Sequence, residues 1–283
     1  MTNAVKITFA IVMAVALLSV PCPLLAGDTV TPYVTFQYQG KPHTIIGRQA
    51  GDATFVFNRG ASKKITLATL NWAPYIGNRI CGQGWVQQLT IALLTSQGYE
   101  ITTRFYPWMR AVAQTEHGRV DLLYPEYFIE PDAPSDVVHH TRRRDHLALS
   151  LRIPGGPVAL MKLKGAPIPY TGDLRDLKDE KIGVVRGYQN TPEFDRLMDS
   201  RSLSPAIKQD MLKRIEMVEP VLQYNYLYYA FSKKRPGWER NLAALNRAIK
   251  EFEASGELIR IIRNTNDTCG FDMETLLPFQ DKR

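Results

Sequence analysis

The chain has 283 residues, of which 45% are hydrophobic, and its formal net charge is +7. Its length suits one large domain or two modest lobes. Its basic residues are scattered apart from two runs, at residues 142–144 and 233–235, and no nucleic-acid-binding motif accompanies them, so we expect no nucleic-acid partner.

Residues 1–26 have the layout of a secretory signal peptide. Lys6 precedes an apolar run at residues 7–20, which is shorter than the roughly 20 residues that a membrane-spanning helix needs. A lipid anchor on Cys22 is the weaker interpretation, because Pro21 stands where a small residue usually precedes a lipid-modified cysteine. We expect cleavage after Ala26 and export of a soluble protein.

Residues 27–64 form an N-terminal extension with two β-like runs, YVTFQYQG and ATFVFNRG. Turn residues lie between the runs, so the sequence predicts a small accessory hairpin. No residue in this extension suggests a chemical role.

A strand–helix–strand pattern follows the extension. Residues 65–70 (ITLATL) predict a buried strand, and residues 84–96 predict a helix. The run EITTRFY predicts the next strand, Pro107 starts a helix that ends at His117-Gly118, and residues 120–124 (VDLLY) resume a buried strand. This alternation is typical of a parallel sheet with ligand sites at the strand ends, although the same unit occurs in any α/β enzyme.

The proline- and glycine-rich residues 153–157 predict a crossing into a second lobe. Its predicted elements are a strand at 158–162, a short helix at 173–177, a strand at 181–185 and a helix capped by Thr191-Pro192. A strand at 226–232 returns the chain, and helices follow at 236–254 and 257–263. We therefore predict a first lobe from residues 65–155 and 230–283, and a shortened second lobe from residues 156–229.

Two cysteines remain after cleavage, Cys81 and Cys269. In an oxidising compartment an even pair suggests one disulfide, here closing a very long loop. Two separate thiols are the alternative, which we rank lower for an exported protein. The disulfide would hold the C-terminal part of the chain against the loop at residues 77–84.

Motifs of known catalytic sites are missing from the sequence. It contains no Gly-x-Ser-x-Gly elbow, no phosphate-binding glycine loop and no HExxH, and the histidines at 139, 140 and 146 lack a zinc-site spacing. We therefore expect no enzyme activity, no metal and no cofactor.

Polar and aromatic side chains recur where the predicted buried strands end. These residues are Trp72 and Tyr75 after the first strand, Trp108 at the start of a helix, Tyr124, Glu126 and Tyr127 at the end of VDLLY, and Arg186 and Tyr188 after KIGVV. Ligands of open α/β sheets bind at this edge. A single tryptophan there is more often a packing residue, but several such side chains at one edge favour a small-molecule cleft.

These residues, in this order, resemble the family-3 extracellular solute-binding proteins, the polar amino-acid receptors of bacterial ABC importers. The matching pieces include ITLATLNWAPY, FYPWMRAVAQTEHGRVDLLYPEY, RRRDHLALSLRIPGGPVALMK and DLRDLKDEKIGVVRGY. The resemblance implies a two-lobed, type II periplasmic binding protein of the α/β class, with hinge crossings between the lobes. It also implies a periplasmic location and a small polar ligand.

The resemblance also suggests roles for individual residues. Arg144 stands where the family keeps an arginine that clamps the ligand carboxylate, and the adjacent Arg142 and Arg143 leave that register open by one or two residues. Glu126 stands where many members have glycine and use backbone groups. Its loop placement and the partner arginines lead us to expect that it contacts a cationic or amino group of the ligand.

The stretch between Tyr188 and Tyr226 is shorter than the family pattern, and its amine-binding acid cannot be placed. Two alternatives to import therefore stay open. The first is a sensor on the same fold, and the second, ranked below it, is a dehydratase-like enzyme. The expected partners are a small polar ligand and either an ABC permease or a membrane sensor, with the protein itself a monomer.

Overall fold

The computed structural model describes residues 32–184, 188, 191–199, 204–205 and 215–270. The predicted signal peptide and Arg186 lie outside these residues, and so do parts of the segment between Tyr188 and Tyr226.

The described residues begin with five consecutive strands, and strands and helices alternate after them. The strands are β1 (Tyr33–Tyr38), β2 (Lys41–Ile46), β3 (Arg48–Gly51), β4 (Thr54–Phe57), β5 (Lys63–Thr69), β6 (Tyr99–Phe105), β7 (Leu122–Glu126), β8 (Leu147–Leu149), β9 (Ile153–Val158), β10 (Met161–Leu163), β11 (Lys181–Ile182), β12 (Ser204–Pro205), β13 (Ile215–Met217) and β14 (Gln223–Ser232). The helices are α1 (Trp85–Ser96), α2 (Trp108–Glu116), α3 (Arg143–His146), α4 (Pro192–Asp199), α5 (Trp238–Ala254) and α6 (Glu257–Cys269), with 3₁₀ turns at Cys81–Gln83 and Leu174–Leu177.

One mixed sheet organises the molecule, with the strand order β3-β4-β6-β5-β7-β14-β8 and with β9 also paired to β14. Strands β5, β6 and β7 run parallel, whereas β4 and β14 run antiparallel to their neighbours. The predicted crossover is confirmed, because α1 connects β5 to β6 and α2 connects β6 to β7. Since the three parallel strands point the same way, the residues that follow them gather at one edge of the sheet.

The two faces of the sheet are covered by different layers. Leu67 of β5 packs into a large apolar cluster with residues of α1, α5 and α6, whereas Ala68 packs on the opposite side with residues of α2. Neighbouring residues of a strand point to opposite faces, so a strand covered on both sides is apolar almost throughout. This explains why ITLATL shows no polar alternation.

The N-terminal extension differs from the predicted accessory hairpin. Its two β-like runs do not pair with each other: β1 pairs with β2, and β4 pairs with β3 and with β6 of the main sheet. Phe36 of β1 and Phe57 of β4 are both buried in the large cluster. The extension is thus part of the core, because β1 packs against α1 and α6 and β4 belongs to the main sheet.

The segment predicted to cross between lobes forms an antiparallel pair. Strand β9 runs beside the first half of β14, and Tyr224 faces Pro157 across the pair. A side chain at Gly155 would clash with the backbone carbonyl of Asn225, so this close approach requires glycine.

Beyond this pair, residues 160–222 contain a small apolar cluster of their own, which includes Leu160, Leu177 and Phe194. Thr191 caps α4 as predicted, since its Oγ1 accepts a hydrogen bond of 3.1 Å from the backbone N–H of Phe194. The lobe boundaries themselves stay a prediction.

The predicted disulfide between Cys81 and Cys269 is present, with 5.6 Å between the two Cα atoms. Helix α6 extends beyond its predicted end at residue 263 to reach Cys269. The bond therefore attaches the end of the last described helix to the loop before α1, as expected from the sequence.

No helix among the described residues is both long enough and apolar enough to span a membrane.

Replacing both cysteines with serine should lower the free energy of unfolding by about 2–5 kcal/mol, because the bond closes a long loop and restricts the unfolded chain. The two cysteines are 188 residues apart in the sequence. Urea unfolding of the two proteins measures the loss. Dithiothreitol should destabilise the native protein and leave the double variant unchanged; an unchanged native midpoint under reduction would contradict the assignment.

Candidate functional site

A cavity that opens to solvent lies at the carboxyl ends of the parallel strands, with about 250 Å³ of space including its open part. Leu70 and Trp72 follow β5, Trp108 begins α2 after β6, and Glu126 ends β7. The other residues that line the cavity are Pro125, Tyr127 and Tyr188. The cavity therefore lies where three successive strands end, which is the usual ligand position in an open α/β sheet.

Aromatic rings form most of the cavity wall. The Trp72 ring meets the rings of Tyr127 and Tyr188 edge to face, with centroid distances of 5.5 and 6.1 Å. Trp108 meets Tyr188 in the same way at 5.6 Å, and Tyr75 packs behind Trp72 at 4.7 Å. Because each ring contacts another ring, the wall presents aromatic surface from several directions.

A buried charge cluster of Glu116, Glu126 and Arg143 supports one side of the cavity. Nη2 of Arg143 donates a 2.7 Å hydrogen bond to Glu126, and its Nε donates a 3.3 Å hydrogen bond to Glu116. The three side chains are at most 4% exposed. Glu126 also accepts a hydrogen bond of 3.0 Å from the backbone N–H of Tyr127, and Ser135 donates its hydroxyl to Glu116. Two carboxylates thus share one guanidinium.

The site shifts the pKa values of its own groups. Burial raises the pKa of Glu126, and the adjacent Arg143 guanidinium opposes that shift. Burial also raises the pKa of Tyr75 to about 12, and burial together with the charge of Glu126 raises the pKa of Tyr188 to about 12. The tyrosine rings are therefore neutral at physiological pH.

The structure brings four of the predicted ligand-binding residues to the cavity: Trp72, Trp108, Glu126 and Tyr188. Tyr75 supports Trp72 from behind. Their contact with a ligand stays a prediction.

Two further predicted residues that the structure describes, Tyr124 and Arg144, do not line the cavity. Tyr124 is fully buried in the core, where its hydroxyl donates to Gln87 and its ring stacks on Tyr229. Arg144 lies with its guanidinium over the Phe128 ring, 5.4 Å from the centroid. Arg186 falls outside the described residues.

Arg143 is the residue of the arginine run that reaches the site, and sequence reasoning favoured its neighbour. The register was open by one or two residues, and the sequence carried no signal that separates three adjacent arginines. Glu116 was missed because it lies near the end of an amphipathic helix, where an acidic residue is usually solvated. Tyr127 was noted at the strand end, which is the signal that places it at the cavity.

The arrangement is suited to binding. Apolar and aromatic walls with a few fixed polar groups are typical of small-molecule sites. Among the described residues, no group of three or more His, Cys, Asp or Glu side chains is placed to hold a metal ion.

No protein-family model and no curated protein sequence matches the chain. Solved structures do match. A histidine kinase sensor domain with similarity to periplasmic binding proteins has a TM-score of 0.55 at 16% identity, covering 71% of this chain and 95% of its own. An arginine transport-system periplasmic binding protein from Legionella pneumophila has a TM-score of 0.54 at 16% identity, and the match covers 72% of this chain and 100% of that protein. The GluR0 ligand-binding core from Nostoc punctiforme, in complex with L-glutamate, has a TM-score of 0.53 at 13% identity, and the match covers 74% of this chain and 100% of that core.

The chain therefore has the two-lobed periplasmic binding protein fold. This confirms the fold class that the sequence predicted.

Replacing Arg143 with methionine should lower the free energy of unfolding by about 3–5 kcal/mol, because it leaves two buried carboxylates without their cation. Arg144→Met is the matched control. Its guanidinium contacts an exposed aromatic ring, so its removal should cost about 1 kcal/mol or less. Urea unfolding at neutral pH measures both. Equal losses for the two variants would show that the buried cluster is not a special support of the site.

Proposed function

We propose that this protein is exported to the periplasm, binds a small polar solute such as an amino acid in the cavity between Trp72, Trp108 and Tyr188, and delivers it to an ABC importer. The observation that carries the proposal is the position of the cavity. Side chains from the ends of β5, β6 and β7 meet there with Tyr188 from the segment after β11. The fold supports the same proposal, since a Legionella pneumophila structure with this fold is an arginine transport-system binding protein.

The participation of Tyr188 suggests how the ligand is recognised. Tyr188 lies beyond the β9–β14 pair from the sheet that carries Trp72, yet its ring contacts both Trp72 and Trp108. A ligand that contacts both sides of the cleft stabilises the closed conformation through its differential affinity for that state. We propose that binding and closure are coupled in this way, and that the protein acts as a monomer without catalysis.

A ligand screen tests the binding function. The mature protein, residues 27–283, is heated with amino acids, polyamines, organic acids and short peptides while its intrinsic tryptophan fluorescence is followed. A ligand at about 100 times its Kd should add roughly 2.7 kcal/mol of stability, which gives a clear rise in Tm. No rise with any compound would contradict the proposal.

Two tryptophan variants locate the binding site. Trp72→Ala should abolish the ligand-induced rise in Tm, because the ring forms a wall of the cavity. Trp238→Ala is the control, since Trp238 lies on α5 away from the cavity lining and is also half-buried. A rise that survives in Trp72→Ala would place the ligand elsewhere.

A sensor is the second candidate function, favoured by the histidine kinase sensor domain that shares the fold. Deletion of the gene distinguishes the two roles once a ligand is known. An importer component should be needed for uptake of the labelled ligand. If the protein is a sensor, deletion of its gene should leave uptake intact and should abolish the transcriptional response to the ligand.

A further inference from the structure

The charge of the cavity comes from Glu126. Among the lining residues that the structure describes, Glu126 is the only carboxylic acid, and none is a lysine, arginine or histidine. Arg143, the nearby cation, is already bound to Glu126 and Glu116. The cluster has two carboxylates and one guanidinium, so its formal charge is −1 when both acids are ionised.

Arg143 is poorly placed to clamp a ligand carboxylate. It is buried behind Glu126, and its Nη2 and Nε atoms already donate to protein carboxylates. A ligand carboxylate would have to displace Glu126 from this guanidinium and leave that acid buried without its partner. Such an exchange carries the penalty of an unpaired buried charge, so the cluster disfavours an acid as the group that enters the cavity.

The aromatic wall favours the opposite charge. A cation within about 6 Å of an aromatic ring face is attracted by the quadrupole of the ring, most strongly for tryptophan. Trp72 and Trp108 both line the cavity, and the edge-to-face contacts with Tyr188 and Tyr127 set neighbouring rings nearly at right angles. A compact cation can therefore contact ring faces from more than one direction while Glu126 supplies the balancing charge.

We infer that the group recognised in this cavity is a compact organic ammonium cation, and that the ligand needs no carboxylate to bind. The inference rests on the proposed function, since it names the ligand class of the same cavity. The Glu126 side chain is 3% exposed, so an ammonium group that enters the cavity meets a carboxylate with few water molecules around it.

Matched probes test the sign of the charge. The mature protein is titrated by calorimetry with choline, tetramethylammonium, putrescine and agmatine as ammonium or guanidinium-bearing cations, with 3,3-dimethylbutan-1-ol as the neutral isostere of choline, and with glutamate and succinate as acids. At least one ammonium probe should bind, and the neutral and acidic probes should bind at least about tenfold more weakly. Preferred binding of an acid or of the neutral isostere would overturn the inference and leave the solute-binding function standing. No binding by any probe, together with no hit in the wider screen, would overturn both.

Glu126→Gln supplies the second test. It keeps the size of the side chain and removes its charge, so affinity for the bound cation should fall at least about tenfold. Glu130→Gln is the control, because Glu130 lies on the same segment but is exposed to solvent. Unfolding curves show whether each variant is folded. Unchanged cation affinity in a folded Glu126→Gln protein would overturn the inference. If that variant does not fold, the comparison of choline with its neutral isostere in the native protein tests the preference for a cation.

Discussion

The pairing of Arg143 with Glu116 and Glu126 is the interaction on which the architecture of the site depends. A buried ion is stable only where opposite charges and hydrogen bonds replace its water. Glu116 ends α2, Glu126 ends β7 and Arg143 begins α3, so the pairing fixes three elements relative to one another. Ser135 joins the cluster through its hydrogen bond to Glu116, which anchors the long connection between β7 and α3.

The cavity follows from this cluster and from the direction of the strands. Parallel strands deliver Trp72, Trp108 and Tyr127 to one edge, and ring-to-ring contacts hold them there with Tyr188. The cluster then decides the charge of the cavity, because Glu126 takes up the nearby arginine and presents a carboxylate beside the rings. In this account the fold determines where a ligand binds, and a small set of buried charges determines what kind of ligand it is.

Much of the fold could be predicted because its signals are local. Strands β5 and β7 are largely apolar, β6 alternates between buried and less buried residues as far as Pro107, and α5 shows a clear apolar face. The sequence also indicated four residues that line the cavity, Trp72, Trp108, Glu126 and Tyr188, and their contact with a ligand stays a prediction. The disulfide could also be predicted, because only Cys81 and Cys269 remain if the predicted signal peptide is removed, and two cysteines allow one pairing.

The remaining features depend on contacts between distant residues. The pairing of β4 with β6 joins segments separated by helix α1, and no local pattern distinguishes it from an isolated hairpin. Tyr124 was placed at the ligand because it lies at a strand end, but all five residues of β7 are buried, and its hydroxyl finds Gln87 in the core. Arg143 and Arg144 are chemically identical, so their different roles come from the backbone direction at α3.

A double-mutant cycle between Arg143 and Glu126 tests the central claim most directly. The free energies of unfolding are measured for the native protein, Arg143→Met, Glu126→Gln and the double variant. Two buried groups in direct contact should show a coupling energy of about 2 kcal/mol, with the double variant less damaged than the sum of the single changes. A coupling energy near zero would contradict the account, because Arg143 would then not be engaged by Glu126 and would remain available to a ligand carboxylate.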